Sequence, residues 1–464
     1  MLHSKKWLRR RSYRTGYGVI GLVLWGCSGS PQPASSGAAT DLESNGRREV
    51  SNPTRTDPSA TRSDGARGTD KEWTLAIYLA SETLSDLGAI HDVNALERRY
   101  AELAPFMDII ILADGEFEVP ESNWLGRTRL LHIRADDTQR VVSEIPVPED
   151  TELARLLLQN NDELELHSPA VLKAFLDYVQ KYHPSKFLSV NIYDHGDAWK
   201  GAVYDFFDHE LGERIGPMRP AEFSTVFSSL SRPIDVLGFD ACLMQELSVN
   251  SFWHASTPSV PYVVASEEIQ TIYGWDWENI SRRFVERRRA DGVLSPKAFA
   301  SEIVQAFDEE VDKDSTLSAL DLSVWSDVLG SLDQLGAALL AEGAMSNTEV
   351  KTVVNELVTR HYGGGTSGPE PYGRPDLVDV ADFCRLLEQS FADGSVGEAA
   401  SALRTAVGRS VLLNRNRDDF SSGLSMYLPK TGIEPDLSLA EFEKLAGAVL
   451  SLTPNWHAFL RTIR

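Results

Sequence analysis

The chain has 464 residues, 42% of them hydrophobic and 24% charged, a balance that fits a soluble globular protein with material for one large domain or two ordinary ones. Its formal net charge of −23 argues against nucleic acid as a partner, since that polyanion selects basic faces. The charge is uneven: residues 1–72 hold 12 Lys and Arg against 7 Asp and Glu, net +5, which leaves −28 for the rest, an acidic body suited to cationic substrates.

MLHSKKWLRRRSYR is strongly basic and GYGVIGLVLWG is apolar, but too short to span a membrane as a stable helix. Residues 1–26 therefore read as an export signal. It ends in LWGCSGS, which resembles a bacterial lipoprotein signal with cleavage before Cys27 and lipid on its thiol. A cleaved secretory signal and a short uncleaved anchor are the alternatives. Ser28, rather than an acid, after Cys27 points by analogy with lipoprotein sorting to an outer membrane where one exists. Residues 27–72 are rich in Ser, Gly, Pro, Thr, Arg and Asp and cannot bury enough surface to offset their ordering entropy, so they read as a flexible tether.

WTLAIYLA (73–80) reads as a buried first strand, and Leu87, Ile90, Val93, Leu96 and Tyr100 then recur at helical spacing. MDIIILAD (107–114) and TRLLHIRAD (128–136) read as strands. A helix is expected from Ser168, with Pro169 in its first turn, to the residue before Pro184. KFLSVNIYDHG (186–196) is a strand ending at His195-Gly196; RPAEFSTVFSSLSRP is helical; IDVLGFDAC is a strand ending at Cys242; and PYVVASEE (261–268) is one more. After about residue 285 the pattern turns helical, with one further strand expected at GLSMYLP (423–429). Strands alternating with helices imply a mostly parallel sheet covered on both faces, with polar work done at its carboxyl edge.

His195 and Cys242 both fall at such strand ends. A thiolate is a strong nucleophile once an imidazole or a dipole lowers its pKa, and a helix expected directly after Cys242 would present its N-terminus to the sulfur. Gly196 permits close backbone approach, and its N–H could join that of Cys242 as an oxyanion hole. The competing reading is a buried structural cysteine and a turn histidine. Cys242 and Cys384 could also pair as a disulfide, though their spacing suggests no framework.

NIYDHGDAWKG and IDVLGFDACLMQEL resemble the two signature segments of the clostripain family of cysteine peptidases, relatives of caspases, gingipains and legumain. WTLAIYLASETLSDLGAIHDVNALER, PYVVASEEIQTIYGWDW, LSALDLS, DLVDVADF, GLSMYLP and NWHAFL resemble further segments of that family in order, so the likeness covers nearly all of 73–464. The resemblance implies an α/β, caspase-like, mostly parallel sheet sandwiched by helices, with a core over 73–285 and a mainly helical C-terminal portion over 286–464. It implies His195 as general base and acid, Cys242 as nucleophile, and Asp240 as the pocket acid that selects Arg, and Lys as well, before the scissile bond. A cap on the following helix is the other role open to Asp240. Asp276 in GWDW is a weaker pocket candidate. Asp197-Ala198 depart from the family, which has further glycine before the tryptophan.

Self-cleavage at Arg214-Ile215 would follow family habit, although a plain surface loop is the simpler reading of 203–219. Asp194, His195, Asp197, Asp205, Asp208 and His209 form a ligand-rich stretch, but neither HExxH nor paired-cysteine spacing occurs, and no catalytic metal is expected. The chemistry requires no cofactor; calcium is a possible structural or activating ion by resemblance. Peptides or proteins are the expected substrates, with membrane attachment through the lipid. The alternative class is a non-catalytic, surface-anchored binding protein on the same scaffold.

Overall fold

A computed structural model describes residues 71–81, 86–115, 118–208, 213–270, 274–307, 315–357, 374–416, 421–429 and 437–463. The export signal, Cys27 and His209 lie outside these residues. The strands, in chain order, are β1 (Trp73–Ser81), β2 (Met107–Gly115), β3 (Arg129–His132), β4 (Phe187–Tyr193), β5 (Asp205–Asp208), β6 (Glu213–Ile215), β7 (Val236–Asp240), β8 (Tyr262–Ala265), β9 (Leu317–Asp321), β10 (Leu377–Asp379), β11 (Val411–Arg415) and β12 (Ser425–Tyr427).

Among the described residues, one eight-stranded sheet runs in the order β11-β9-β8-β7-β4-β1-β2-β3. From β8 to β2 neighbouring strands are parallel, whereas β3, β9 and β11 close the edges antiparallel. β1 and β7 are buried along their whole length. That is why their sequences are unbroken apolar runs without the alternation of a half-exposed strand.

Each face of the sheet has its own core. On one, Leu75, Ile77, Ile109, Ile111 and Val264 meet the helices Asp86–Leu103, Trp277–Asp291 and Pro296–Ala306. On the other, Tyr78, Ile110, Val190 and Leu237 meet the helices Pro169–Tyr182, Pro220–Ser228 and Leu247–Ala255. Each fully buried Leu, Ile or Val contributes about 1.5–3 kcal/mol, so both cores drive the layered arrangement. Trp73 ties β1 to its helices: the ring stacks on Phe299 at 4.2 Å and Nε1 donates to the Leu294 carbonyl at 2.8 Å.

The expected α/β class and mostly parallel sheet are present. β3 is shorter than 128–136, because its ladder with β2 spans only Arg129 to His132. The portion after residue 285 is less purely helical than its pattern suggests. β9 and β11 join the main sheet, and β10 pairs with β12 in a separate antiparallel ladder. Runs of five residues such as LSALD and VLLNR are too short for periodicity to separate strand from helix. Residues 286–464 thus share the sheet of 73–285. Within 203–219, β5 and β6 form a two-stranded ribbon in place of the surface loop expected there.

Candidate active site

Strand register brings the two sequence-predicted loops together. β4 and β7 pair in parallel with Tyr193 opposite Asp240, and His195 and Cys242 each follow two residues later at the carboxyl edge. The Asp194 N–H donates to the Asp240 carbonyl at 3.3 Å, prolonging the ladder. Gly196 then runs against Cys242. A Cβ at this position would stand 2.2 Å from the Cys242 carbonyl oxygen and 3.1 Å from its nitrogen, so only glycine permits this approach.

Cys242 is 6% exposed, and its Sγ accepts the Gln270 N–H at 3.3 Å. The helix expected immediately after it does not begin there. Leu243 adopts φ +65°, its N–H donates to Glu268 O at 3.0 Å, and the Gln245 N–H donates to Ser266 O at 2.9 Å. These lateral bonds hold the turn in non-helical form. The helix opens at Leu247, capped by the Glu246 carboxylate, which accepts the Val249 N–H at 3.0 Å. The donor at the sulfur is therefore the Gln270 amide, not a helix N-terminus. The cap role open to Asp240 falls to Glu246.

His195 lies edge-on to Tyr204, with ring centroids 6.5 Å apart, and its carbonyl accepts the Val203 N–H at 3.1 Å. The departure at Asp197-Ala198 has a structural counterpart. Ala198 adopts φ +50°, where glycine would be unstrained. Asp197 is gripped by Arg374, whose Nη1 donates to the Asp197 carbonyl at 3.0 Å and also to its carboxylate. The same guanidinium forks onto Asp376, Nε at 2.8 Å and Nη2 at 2.7 Å, and Asp376 accepts the Trp199 Nε1–H at 2.9 Å. Burial opposes the Arg374 charge, but Asp197 and Asp376 more than offset it and hold the group cationic. Nothing in the spacing of RPD links residue 374 to 197, so reasoning from sequence missed this contact.

A second group of acids gathers behind Cys242. Asp240 is buried and accepts the Trp275 N–H at 2.8 Å. Asp92, on the helix Asp86–Leu103, is 2% exposed. Neither of its oxygens has a hydrogen-bond partner among the described residues, and the His91 Nδ1 stands 3.6 Å away. At Gly274, φ +65°, a Cβ would lie 2.8 Å from Asp92 Oδ2 and 2.9 Å from Asp240 Oδ2, which brings the two carboxylates to one point. The Asn191 amide, which meets the benzo edge of the Trp275 ring at Gly238, and Trp275 Nε1 also lack hydrogen-bond partners among the described residues. Burial and then the charge of Asp276 push the Asp92 carboxyl well above its ordinary value. Asp276 itself is exposed and caps the helix Trp277–Asp291, accepting the Asn279 N–H at 2.9 Å. Asp92 belongs to the helix whose apolar spacing was legible, but its pattern gave no sign of an unpaired acid.

Cys242 and Cys384 are both free, so the disulfide left open above is absent. Burial pushes the Cys384 thiol far above its ordinary range, which makes it an inert core residue.

A mostly parallel sheet with a cysteine loop packed on a histidine loop at adjacent strand ends defines the class, a cysteine peptidase. More particularly, residues 80–444 match the model of the clostripain family, and the chain belongs to that family. Similar solved structures include an inactive zymogen C11 protease from Parabacteroides distasonis, with TM-score 0.55 and 15% identity, covering 85% of this chain and 99% of that one. Another is a secreted C11 cysteine protease from Bacteroides thetaiotaomicron in complex with an irreversible peptide inhibitor, with TM-score 0.53 and 14% identity, covering 81% and 99%. No curated protein matches the chain.

Two outcomes are expected. Arg374→Met leaves Asp197 and Asp376 buried without their cation, so thermal unfolding should report a loss of about 3–5 kcal/mol. Arg374→Lys, which keeps the charge but not the fork, should fall between. For Asp92, the raised folded pKa means that the native state binds more protons than the unfolded one above the ordinary value of 3.8. Its contribution therefore makes stability decline as pH rises from there through the folded pKa. Asp92→Asn should lack that component. Melting curves from pH 4 to 8 should show the variant's stability advantage growing with pH, and parallel curves would remove Asp92 as its source.

Proposed function

We propose that this cysteine peptidase is an exported, lipid-anchored endopeptidase that cleaves after basic residues, arginine above lysine, using Cys242 and His195. The Cys242 sulfur attacks the scissile carbonyl and forms the C–S bond, while the N–H groups of Gly196 and Cys242 stabilise the oxyanion. His195 delivers the thiol's proton to the leaving amine as the C–N bond breaks. It then takes a proton from water, which hydrolyses the thioester and restores the thiol. The packing of Gly196 on the Cys242 backbone supports this assignment, because it sets the histidine and cysteine loops in direct backbone contact. The chemistry is written without a cofactor, and calcium enters as a structural or activating ion to be tested.

The observation that carries the specificity is the pair Asp92 and Asp240 beside Gly274. Burying the Asp92 carboxylate without a hydrogen bond from the described residues is costly, and the group that suits it and Asp240 at once is a planar guanidinium with five donors. A lysine ammonium offers a point charge without the fork. The net acidic body would also raise the local concentration of basic peptides. The binding-protein alternative rested on the departure after Gly196. That departure coincides with a buried contact to Arg374, so it does not point to a degraded site.

Export is supported by the basic and apolar start of the chain and by the secreted neighbour from Bacteroides thetaiotaomicron. No helix among the described residues is long and apolar enough to cross a membrane. On this reading, attachment depends on lipid at Cys27.

Reduced, purified protein should cleave fluorogenic peptides ending in Arg, more slowly those ending in Lys, and not those ending in Leu or Asp, assayed with and without calcium. Cys242→Ala and His195→Ala should each abolish turnover. Asp240→Asn should lower kcat/KM for Arg peptides by about 100-fold and Asp92→Asn by about tenfold, in line with the loss of one charged hydrogen bond. Turnover with another preference would keep the dyad and remove the two acids from the pocket. For the anchor, intact mass of protein extracted from membranes should show lipid on a chain beginning at Cys27, and Cys27→Ser should release the protein to the soluble fraction.

A further inference from the structure

A second cluster of side chains stands at the opposite edge of the sheet from the proposed dyad. Asp108 is the second residue of β2, His132 the last of β3, and His183 the residue that ends the helix Pro169–Tyr182. His132 pairs with Ile110 in the β2–β3 ladder, so it is diagonal to Asp108 on the same face. His183 is fixed from the side of β1, where the Thr74 hydroxyl donates to its carbonyl at 2.7 Å. Four elements therefore meet here, beside Lys71.

The donor atoms converge. His132 Nε2 is 3.7 Å from Asp108 Oδ1, and His183 Nδ1 is 3.7 Å from Asp108 Oδ2. The ligand atoms of all three lie within 4.8 Å of one another. At 3.7 Å the imidazoles are beyond hydrogen-bond distance of the carboxylate. One ion with ligands at about 2.0–2.2 Å holds them about 3–4 Å apart, so the widest separation in the cluster needs to contract by about 1–2 Å at most. The other ring nitrogen of His183 faces the Tyr178 hydroxyl at 3.2 Å. When Nε2 keeps its proton and donates to that oxygen, Nδ1 turns its lone pair on the cluster, the outer-shell arrangement that orients metal-bound imidazoles. All three side chains are partly exposed, which leaves an ion a way in.

We propose that Asp108, His132 and His183 bind one divalent transition-metal ion of the zinc class, with water in the fourth position. Two imidazoles and a carboxylate suit zinc, cobalt or nickel; calcium and magnesium prefer all-oxygen sites. The ion is a structural clip joining the end of a helix to the β2–β3 edge, and it takes no part in peptide cleavage. Lys71 is its competitor, with Nζ 3.6 Å from Asp108 Oδ1 and a charge that the ion must displace. The Tyr100 hydroxyl, which donates to the same oxygen at 3.4 Å, can stay as an outer-shell partner.

The test uses the full chain without an affinity tag, carrying Cys27→Ser and Cys242→Ala so that neither thiol captures the metal. After exposure to zinc chloride and gel filtration, this protein should retain about one equivalent of zinc, with a raised Tm, and an excess of calcium should not displace it. His132→Gln and His183→Gln should each weaken binding by 10–100-fold, about the range for disturbed metal shells. Lys71→Ala should bind about tenfold more tightly. Cobalt loading should give the visible bands of a tetrahedral ion, lost in His183→Gln. In the chain that keeps Cys242, His132→Gln should leave peptide turnover unchanged. Zinc retained equally by both histidine variants would overturn the site. So would binding that appears only with Lys71→Ala, since the native cluster would then be an ion-pair network alone.

Discussion

The parallel pairing of β4 with β7, Tyr193 opposite Asp240, is the constraint on which the rest of the site depends. It sets the chain ends of both strands at one level, so that whatever follows two residues later is adjacent in space. A slip of one residue would turn Asp240 from the Asp92 side of the sheet to the other face and separate it from Trp275. The register is fixed by burial: β7 has no exposed position, and most of β4 is likewise enclosed. The same apolar content that makes these strands cohere therefore fixes where histidine and cysteine stand. Gly196 converts adjacency into contact.

Neither loop holds its shape through local sequence alone. The histidine loop leans on Arg374 and Asp376, and Trp199 within it packs edge-on against Tyr427 and Phe442. The turn after Cys242 leans on β12, where Ser425 bridges Glu246 and the Tyr427 N–H reaches the Glu246 carboxylate at 3.3 Å. Residues 374–442 thus buttress both loops from one side. A buried guanidinium between two acids is not an efficient source of net stability, because desolvation offsets much of its attraction. Its geometry does exclude other arrangements of the loop, since any displacement of Asp197 leaves a charge buried alone. This dependence explains why the family match spans 80–444 and does not stop where the parallel strands end.

The parts legible in the sequence were those set by local pattern. Long apolar runs gave β1, β2, β4, β7 and β8, and a proline pair bounded the helix Pro169–Tyr182, because burial on both faces and backbone restriction leave marks within a few residues. The two strand-end loops followed from the fold rule that places polar work at the carboxyl edge. β9 and β11 did not stand out, because a five-residue antiparallel strand beside long helices carries no period of its own. LMQELSVN has helical spacing, which predicts helix through the turn at Leu243. Tertiary bonds to Ser266 and Glu268 override that preference. Arg374 and Asp92 were not legible at all. Each acts across a long sequence separation, and an acid on a helix looks the same in sequence whether it faces solvent or a buried partner.

Asp92 departs from what folding alone would select. Its helix is otherwise well matched to the sheet, and a hydrophobic or amide side chain at this position would remove a buried acid that has no hydrogen-bond partner among the described residues. Proteins retain such groups where a ligand completes them, and stability is then lower in the free state than the scaffold allows. The raised pKa adds a coupling. Free of ligand, Asp92 stays protonated to a higher pH than an ordinary aspartate, so it adds no second negative charge beside Asp240. On the proposed reading, a basic side chain entering beside Gly274 favours the ionised form and expels that proton. Binding of a cation and release of a proton then become one linked equilibrium. Below the raised pKa, basic peptides must displace the proton and bind less well; above it, the two carboxylates repel one another until a cation arrives. On that reading, one buried acid ties the protein's stability, the proposed preference for positive charge and its response to pH to the same few atoms.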